Sequence, residues 1–433
     1  MNLRCFATLL VLVAGACGGT TAVDPIVRPA SSGEPAAPPD PGALPGPTPG
    51  AKEPSLATGP YTGLVGTTDV SILYPLPISG GFASFVQPSE AGAHGPLLPA
   101  AFVDVVLGPE GGLERTTAEH PSKYADLRIV SVRLDPCSAR GNGGCRTEVR
   151  VVLQALYNEV TGAAGDPVGS TGATDGGVHV MYDVPEPELV TMMKQILTLK
   201  KANGDLATQE LGPHPILAAQ GADGAFAKGL RSILLEHLGE ARIGRVTAFD
   251  HNFNPEMDGW TFSTFDRSGA TLTQGKIPFV DRGGQTVAGS DALVALTDSS
   301  AETFSQPAAP DQVNLLVRGG RPAPGSAGVA TLQPALEAAL RIQNPTLHNA
   351  ETTDCANCHL AEGARNVGES LYALKSANPA NGFKPSRSVA RKDERTSVTN
   401  LHAFSYLHRK ISVMARTAHE SILAADRMEA KVK

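Results

Sequence analysis

The chain is poor in charged residues (18%) and aromatics (5%), and it has one tryptophan, Trp260. With 46 glycines, that balance argues against a helical bundle and for a turn-rich β protein. No apolar run is long enough to span a bilayer, the stretch Phe6–Ala14 being too short. A formal charge of −7 argues against nucleic-acid binding, so no nucleic-acid partner is expected. Internal repeats, a nucleophile elbow, H-E-x-x-H and a convincing carboxylate pair are all missing. Cysteine is scarce, six in 433 residues, so the position of each one is informative.

Two of the six fall in TTDCANCHL, as Cys355 and Cys358, directly before His359. C-x-x-C-H is the attachment pattern of c-type haem. Each thiol adds across one porphyrin vinyl group, and thiols three residues apart reach both vinyls from one short turn. His359 then lies under the iron and supplies an axial nitrogen. One covalent haem c is the expected cofactor. Two other chemistries could use these residues. His348, Cys355, Cys358 and a further histidine would satisfy tetrahedral zinc. Cys355 and Cys358 alone would make a disulfide, structural or exchanging.

The N-terminus, MNLRCFATLLVLVAGAC, has a basic residue at Arg4, an apolar core and then Ala14-Gly15-Ala16-Cys17. This looks like a bacterial lipoprotein cleavage box, the other reading being an ordinary secretory signal. The resemblance implies removal of residues 1–16, a diacylated Cys17 as the new N-terminus, and a membrane contact made through that lipid. Gly18 follows, with no aspartate to hold the chain at an inner membrane, so an outer-membrane anchor in the cell envelope is implied. Cys5 leaves with the signal. Cys137 and Cys145 flank the turn SARGNGG between two strand-like runs. They suit a disulfide closing a hairpin, worth about 2–3 kcal/mol. A redox-active thiol pair is the alternative.

Residues 17–58 form a Pro/Gly/Ala tract with almost no large apolar side chains, an extended tether rather than a fold. Residues 59–344 read as an α+β body with antiparallel sheets and a helical middle near 185–240, where two lobes would divide. Strands are expected over 62–75, 100–107, 127–134 and 146–156, in VHVMYDV, and across ARIGRVTAFD, GWTFSTFD, ATLTQGKIPFV and QVNLLVRG. Helices are expected in PELVTMMKQILTLKK, in GAFAKGLRSILLEHLG with Asp223 as its N-cap, and in VATLQPALEAALRIQ. Pro345 marks a boundary.

Residues 345–433 read as a small all-α domain that ends in SVMARTAHESILAADRMEAKV. With C-x-x-C-H near its start and a helix at its end, it resembles a class I, mono-haem cytochrome c. That resemblance implies a distal methionine well downstream. Met414, 55 residues after His359, is at about that separation, although a stripe with Ile411, Ala418, Ile422 and Ala425 would make it core. His408 is the competing ligand, in register with Leu401, Phe404 and Ile411 on an apolar helix face. His402 and His419 are further candidates. The segment carries 13 Lys and Arg against 9 Asp and Glu, which leaves −11 on the rest. A basic haem segment suits an acidic redox partner. Asp250, Asn252, Asn254 and Asp258 occupy four positions of a calcium-loop frame that lacks its glycine and its closing glutamate. An Asx-rich turn is the plain alternative. Electron transfer is the expected function. The alternatives are a structural or binding lipoprotein with a Cys355–Cys358 disulfide or zinc site, and a haem-dependent oxidoreductase.

Overall fold

The computed structural model describes residues 63–79, 81–107, 124–139, 144–159, 166–254, 257–280, 283–288, 322–395 and 400–433. The signal, Cys17, the tether and the QVNLLVRG strand lie outside the described residues.

The alternating run LRIVSVRL and its partner form the long hairpin at the centre of an antiparallel sheet, β2 (Leu127–Ala139) with β3 (Cys145–Asn158). Cys137 and Cys145 are bonded across its turn end, with Cα atoms 4.5 Å apart. Beside β2 lies β1 (Ser71–Leu73). Beyond β3 come β4 (Thr171–Ala173) and β5 (Gly177–Asp183), sharing one edge of β3. Then follow β6 (Ile243–Asn254) and β7 (Met257–Ser268), whose far edge is divided between β8 (Thr271–Gln274) and β9 (Gly284–Ala288). The class is α+β.

Strand alternation gives the sheet two different faces. Val132, Val151, Val180 and Val246 are register partners in one row on one face. That row is buried in a cluster with helices α3 (Glu186–Ala202), α5 (Ala225–His237) and α8 (Ala415–Val432) through Leu189, Met192, Leu234 and Met428. α3 shows the expected 3–4 spacing, with Glu186 and Glu188 in its first turn and Lys200 and Lys201 in its last, where they complement the helix dipole. α5 starts after Gly224, without the expected Asp223 cap. The other face carries Ser131, Arg133, Arg150, Val152, His179 and Phe249.

Several expected elements differ. Residues 100–107 are a helix, α2 (Ala100–Leu107), not a strand. Phe102, Val103 and Val106 are buried while Val105 is exposed, a helical stripe that a short apolar run cannot reveal by itself. The expected strand over 62–75 is a helical turn, α1 (Thr67–Val70), leading into the three-residue β1. The short helix α4 (Pro215–Gln220) precedes α5.

Residues 345–433 are not an all-α unit. After α6 (Gln333–Ile342) and α7 (Cys355–Ser370) comes a β-hairpin, β10 (Phe404–Leu407) with β11 (Lys410–Val413), and then α8. Nor do these residues have a core to themselves. Phe404, Tyr406, Ile411, Val413, Ala425 and Met428 share the buried cluster of the valine row. Tyr406 donates to the Tyr74 carbonyl (2.6 Å), and Ser71 meets Ser421 (2.7 Å). Pro345 therefore marks a helix end and not a division between cores.

Candidate functional site

The motif residues open a helix whose start is built by one acid. Asp354 is the N-cap of α7 and accepts hydrogen bonds from Asn357 N (3.0 Å) and Asn357 Nδ2 (2.5 Å). Gln285 of β9 completes the cap. Its Nε2 donates to Asp354 (2.7 Å) and its Oε1 accepts from Ala356 N (3.0 Å). Free backbone N–H groups at a helix start need such partners when buried. Burial outweighs these bonds and raises the Asp354 pKa above the usual carboxylate range.

Cys355 and Cys358 stand one helical turn apart with unbonded thiols, so both point from one side of the helix. Burial, with Asp354 adjoining, pushes the Cys355 thiol up to about 12. Burial raises Cys358 as well. Exchange chemistry wants a depressed thiol pKa; these are protonated thiols. His359 is oriented by one bond: Nδ1 donates to the Leu401 carbonyl (2.6 Å). A carbonyl can only accept, so Nδ1 holds the proton and Nε2 has the lone pair. Burial lowers the His359 pKa to about 4, so the ring is neutral at pH 7. Phe262, Phe249 and His179 surround it at ring-centroid distances of 5.3, 5.6 and 6.5 Å.

A cavity runs between the polar sheet face, α7 and α8. Its volume is about 150 Å³, and its lining includes Cys358, His359, Met414, His179 and His348. That exceeds what a single water needs. Cys355 is half-buried against the cluster of Phe249, Trp260 and Leu401.

Glu362, three residues past His359 and 3% exposed, couples α7 to α8. Its carboxylate accepts from Arg391 Nη1 (2.7 Å), pairs with Arg395 (2.9 Å) and accepts from Ala415 N (2.8 Å), the first residue of α8. Burial raises its pKa, but the Arg395, Arg391 and Arg365 charges prevail and hold it far below the usual value. Met414, the N-cap of α8, adjoins that contact and is 2% exposed.

The competing ligands are placed elsewhere. His408 is not on a helix. It sits with φ +53° at the β10–β11 turn, bonded to the Tyr157 hydroxyl (2.8 Å). His402 is engaged at both nitrogens, by Ser405 (2.9 Å) and Asp175 (3.0 Å). His419 donates to the Gln343 carbonyl (2.9 Å) and packs on Phe383. His348 donates from Nδ1 to Thr352 O (2.8 Å), and among the described residues no three His, Cys, Asp or Glu gather as a metal requires. The zinc arrangement is thus not assembled. The calcium frame is not a loop either: β6 and β7 pair through Phe253–Asp258 and Asn254–Met257.

The donor set fits a covalent haem. Two protonated thiols lie a turn apart, a neutral imidazole has its proton fixed on Nδ1, and a thioether lines the cavity that Cys358 and His359 also line, Cys355 standing outside that lining. Five contributors escaped the sequence reading: Asp354, Gln285, Glu362, the Leu401 carbonyl and His179. Of these Asp354 had a local signal, because Asp is a preferred N-cap and stands directly before the motif. His179 offers only a polar residue in an apolar strand. Comparison with protein-family models, curated proteins and solved structures finds no match to the chain.

Proposed function

We propose that this chain is an exported, lipid-anchored c-type cytochrome that transfers electrons in the cell envelope. Cys355 and Cys358 hold one haem, His359 ligates its iron, and Cys17 carries the lipid to an outer membrane. The observation that carries the reading is the His359 bond to the Leu401 carbonyl, which fixes the proton on Nδ1 and keeps Nε2 unprotonated. When bound, the haem supplies one-electron redox chemistry. The chain's own residues do the rest. Asp354 and Gln285 hold the start of the motif helix, Phe249 and Phe262 pack against the His359 ring, and Glu362 ties α7 to the residue after Met414.

The cytochrome c-like part of the reading rests on the motif helix and its ligands, within a core shared with the sheet. Met414 is the distal ligand in this reading, since it lines the cavity and His408 does not. The basic balance of residues 345–433 favours an acidic redox partner, and raised ionic strength should slow that encounter.

The test is a reduced pyridine-haemochrome spectrum and intact mass of the chain exported in a host with cytochrome c maturation. A c-type band and the mass of one haem are expected, both absent from Cys355→Ala/Cys358→Ala. A colourless protein of bare polypeptide mass sinks the reading. Met414→Ala should then abolish the far-red charge-transfer band of thioether ligation and lower the midpoint potential. If the band is absent from the unmutated protein and His179→Ala changes the spectrum instead, His179 is the distal ligand.

A further inference from the structure

The cavity has a lining rich in arginine. Arg133, Arg150, Arg416 and Arg427 line it, against the carboxylates of Asp135 and Glu420. Arg133 and Arg150 are direct cross-strand partners, an arrangement that costs stability unless anions compensate it. Arg416 and Arg427 are eleven residues apart on α8, with Glu420 and Leu423 between them on the same face.

Two of these guanidinium groups are occupied by the protein. Arg133 pairs with Glu420 (2.5 Å). Arg416 pairs with Glu420 (2.9 Å) and donates to the carbonyls of Ile342 and His348. The other two have donors to spare. Arg150 donates from Nη2 to Glu148 (2.9 Å), and its buried Nε has no hydrogen-bond partner. Arg427 donates from Nη1 to the Cys137 carbonyl (2.8 Å), and its remaining N–H groups meet no acceptor among the described residues. Leaving the buried Arg150 Nε unmade is costly, and a planar guanidinium is matched by a carboxylate.

We infer that Arg150 and Arg427 form a carboxylate-binding site in this cavity. The carboxylates belong either to the two propionates of a porphyrin held at Cys355 and Cys358, an assignment that rests on the cytochrome reading, or to a free organic acid, which does not. The chemistry recognised is the same in both.

The experiment uses the full chain with Cys355→Ser and Cys358→Ser, which cannot attach haem covalently. Three probes are titrated: protoporphyrin IX, its dimethyl ester and succinate. For the porphyrin source, the free acid binds about tenfold or more tightly than the ester, as loss of charge-assisted bonds requires, and Arg150→Gln/Arg427→Gln removes that preference. For the free-acid source, succinate raises the unfolding midpoint, the double variant abolishes the rise, and neither porphyrin binds. Equal binding of acid and ester with no response to succinate overturns the site. The acid-to-ester ratio is read with both arginines intact, so it survives a failure of the double variant to fold. A wild-type chain that carries haem while acid and ester bind alike would fail this inference and leave the cytochrome reading standing. A colourless wild type that responds to succinate would do the reverse.

Discussion

One sheet presents two faces made from the same strands. On one, Val132, Val151, Val180 and Val246 stand in a single row. One residue along, the row on the other face reads Ser131, Val152, His179 and Thr247, with Arg133 and Arg150 beside it. The valine face needs only the removal of apolar surface from water. The second face is stable only with partners: Glu420 for Arg133, Glu148 for Arg150, and the α7 helix with its aromatic shell for His179 and Phe249. The difference shows where the chemistry is concentrated. The chain keeps one face for stability and brings His179, His359, Arg133, Arg150 and Cys358 together on the other.

Glu362→Gln should break this comparison most strongly. Removing one partner of a buried ion pair costs about 3–5 kcal/mol, and here Arg391 and Arg395 both lose the Glu362 charge, with Asp393 left as their carboxylate partner. In the haem-loaded protein the same substitution should alter the spectrum, because it loosens the residue next to Met414. The pH dependence has a definite sign. The folded-state pKa of Glu362 lies below its unfolded value, so its contribution is complete above about pH 4.3 and is lost as the pH falls through the folded value. Urea midpoints measured from neutral to acid pH should fall steeply for the wild type and less for Glu362→Gln. Equal slopes would show that Glu362 is not the acid-sensitive contact.

Leu234→Ala sharpens the contrast from the opposite side. Leu234 is fully buried beneath the valine row, and its truncation should cost about 2–5 kcal/mol. The spectrum of the remaining folded, haem-loaded protein should not change. A shifted Soret band in this variant would mean that the two faces are not independent. Removing the Cys137–Cys145 bond as Cys137→Ala/Cys145→Ala should cost less, about 2–3 kcal/mol. That bond staples the end of β2 and β3, and Cys137 also lines the cavity. Chemical denaturation of the double variant measures the loss.

Much of the valine face was legible in the sequence. Alternation marked β2 and β3, the glycine-rich turn between two cysteines marked their bond, and 3–4 spacing marked α3 and α5. The motif itself was equally plain. Its surroundings were not, because they are made by contacts across long stretches of chain. Gln285 reaches Ala356 across 71 residues, Leu401 reaches His359 across 42, and Ala415 reaches Glu362 across 53. No local pattern encodes such pairings. The segment before Met414 was misread for a related reason. Leu401, Phe404, His408 and Ile411 fit a helical stripe by number, yet 404–407 and 410–413 pair with each other as a hairpin, tied to Gln154 and Ala173 of the large sheet. Tertiary pairing overrode the local period.

The smallest effect is expected where the two regions meet in solvent. Lys431 of α8 pairs with Glu186 of α3 at 2.8 Å, with side chains 30% and 54% exposed. Such a pair gains little in high dielectric and spends side-chain entropy to hold its geometry. Lys431→Ala should therefore change stability by no more than about 0.5 kcal/mol, and added salt should erase even that. What joins α8 to α3 is the burial of Met428 and Ala425 in their shared core. Met428→Ala, at about 2–5 kcal/mol, supplies the control. If Lys431→Ala proved the more damaging of the two, the joint would be electrostatic, and the division of this sheet into an apolar face and a chemical face would have to be redrawn.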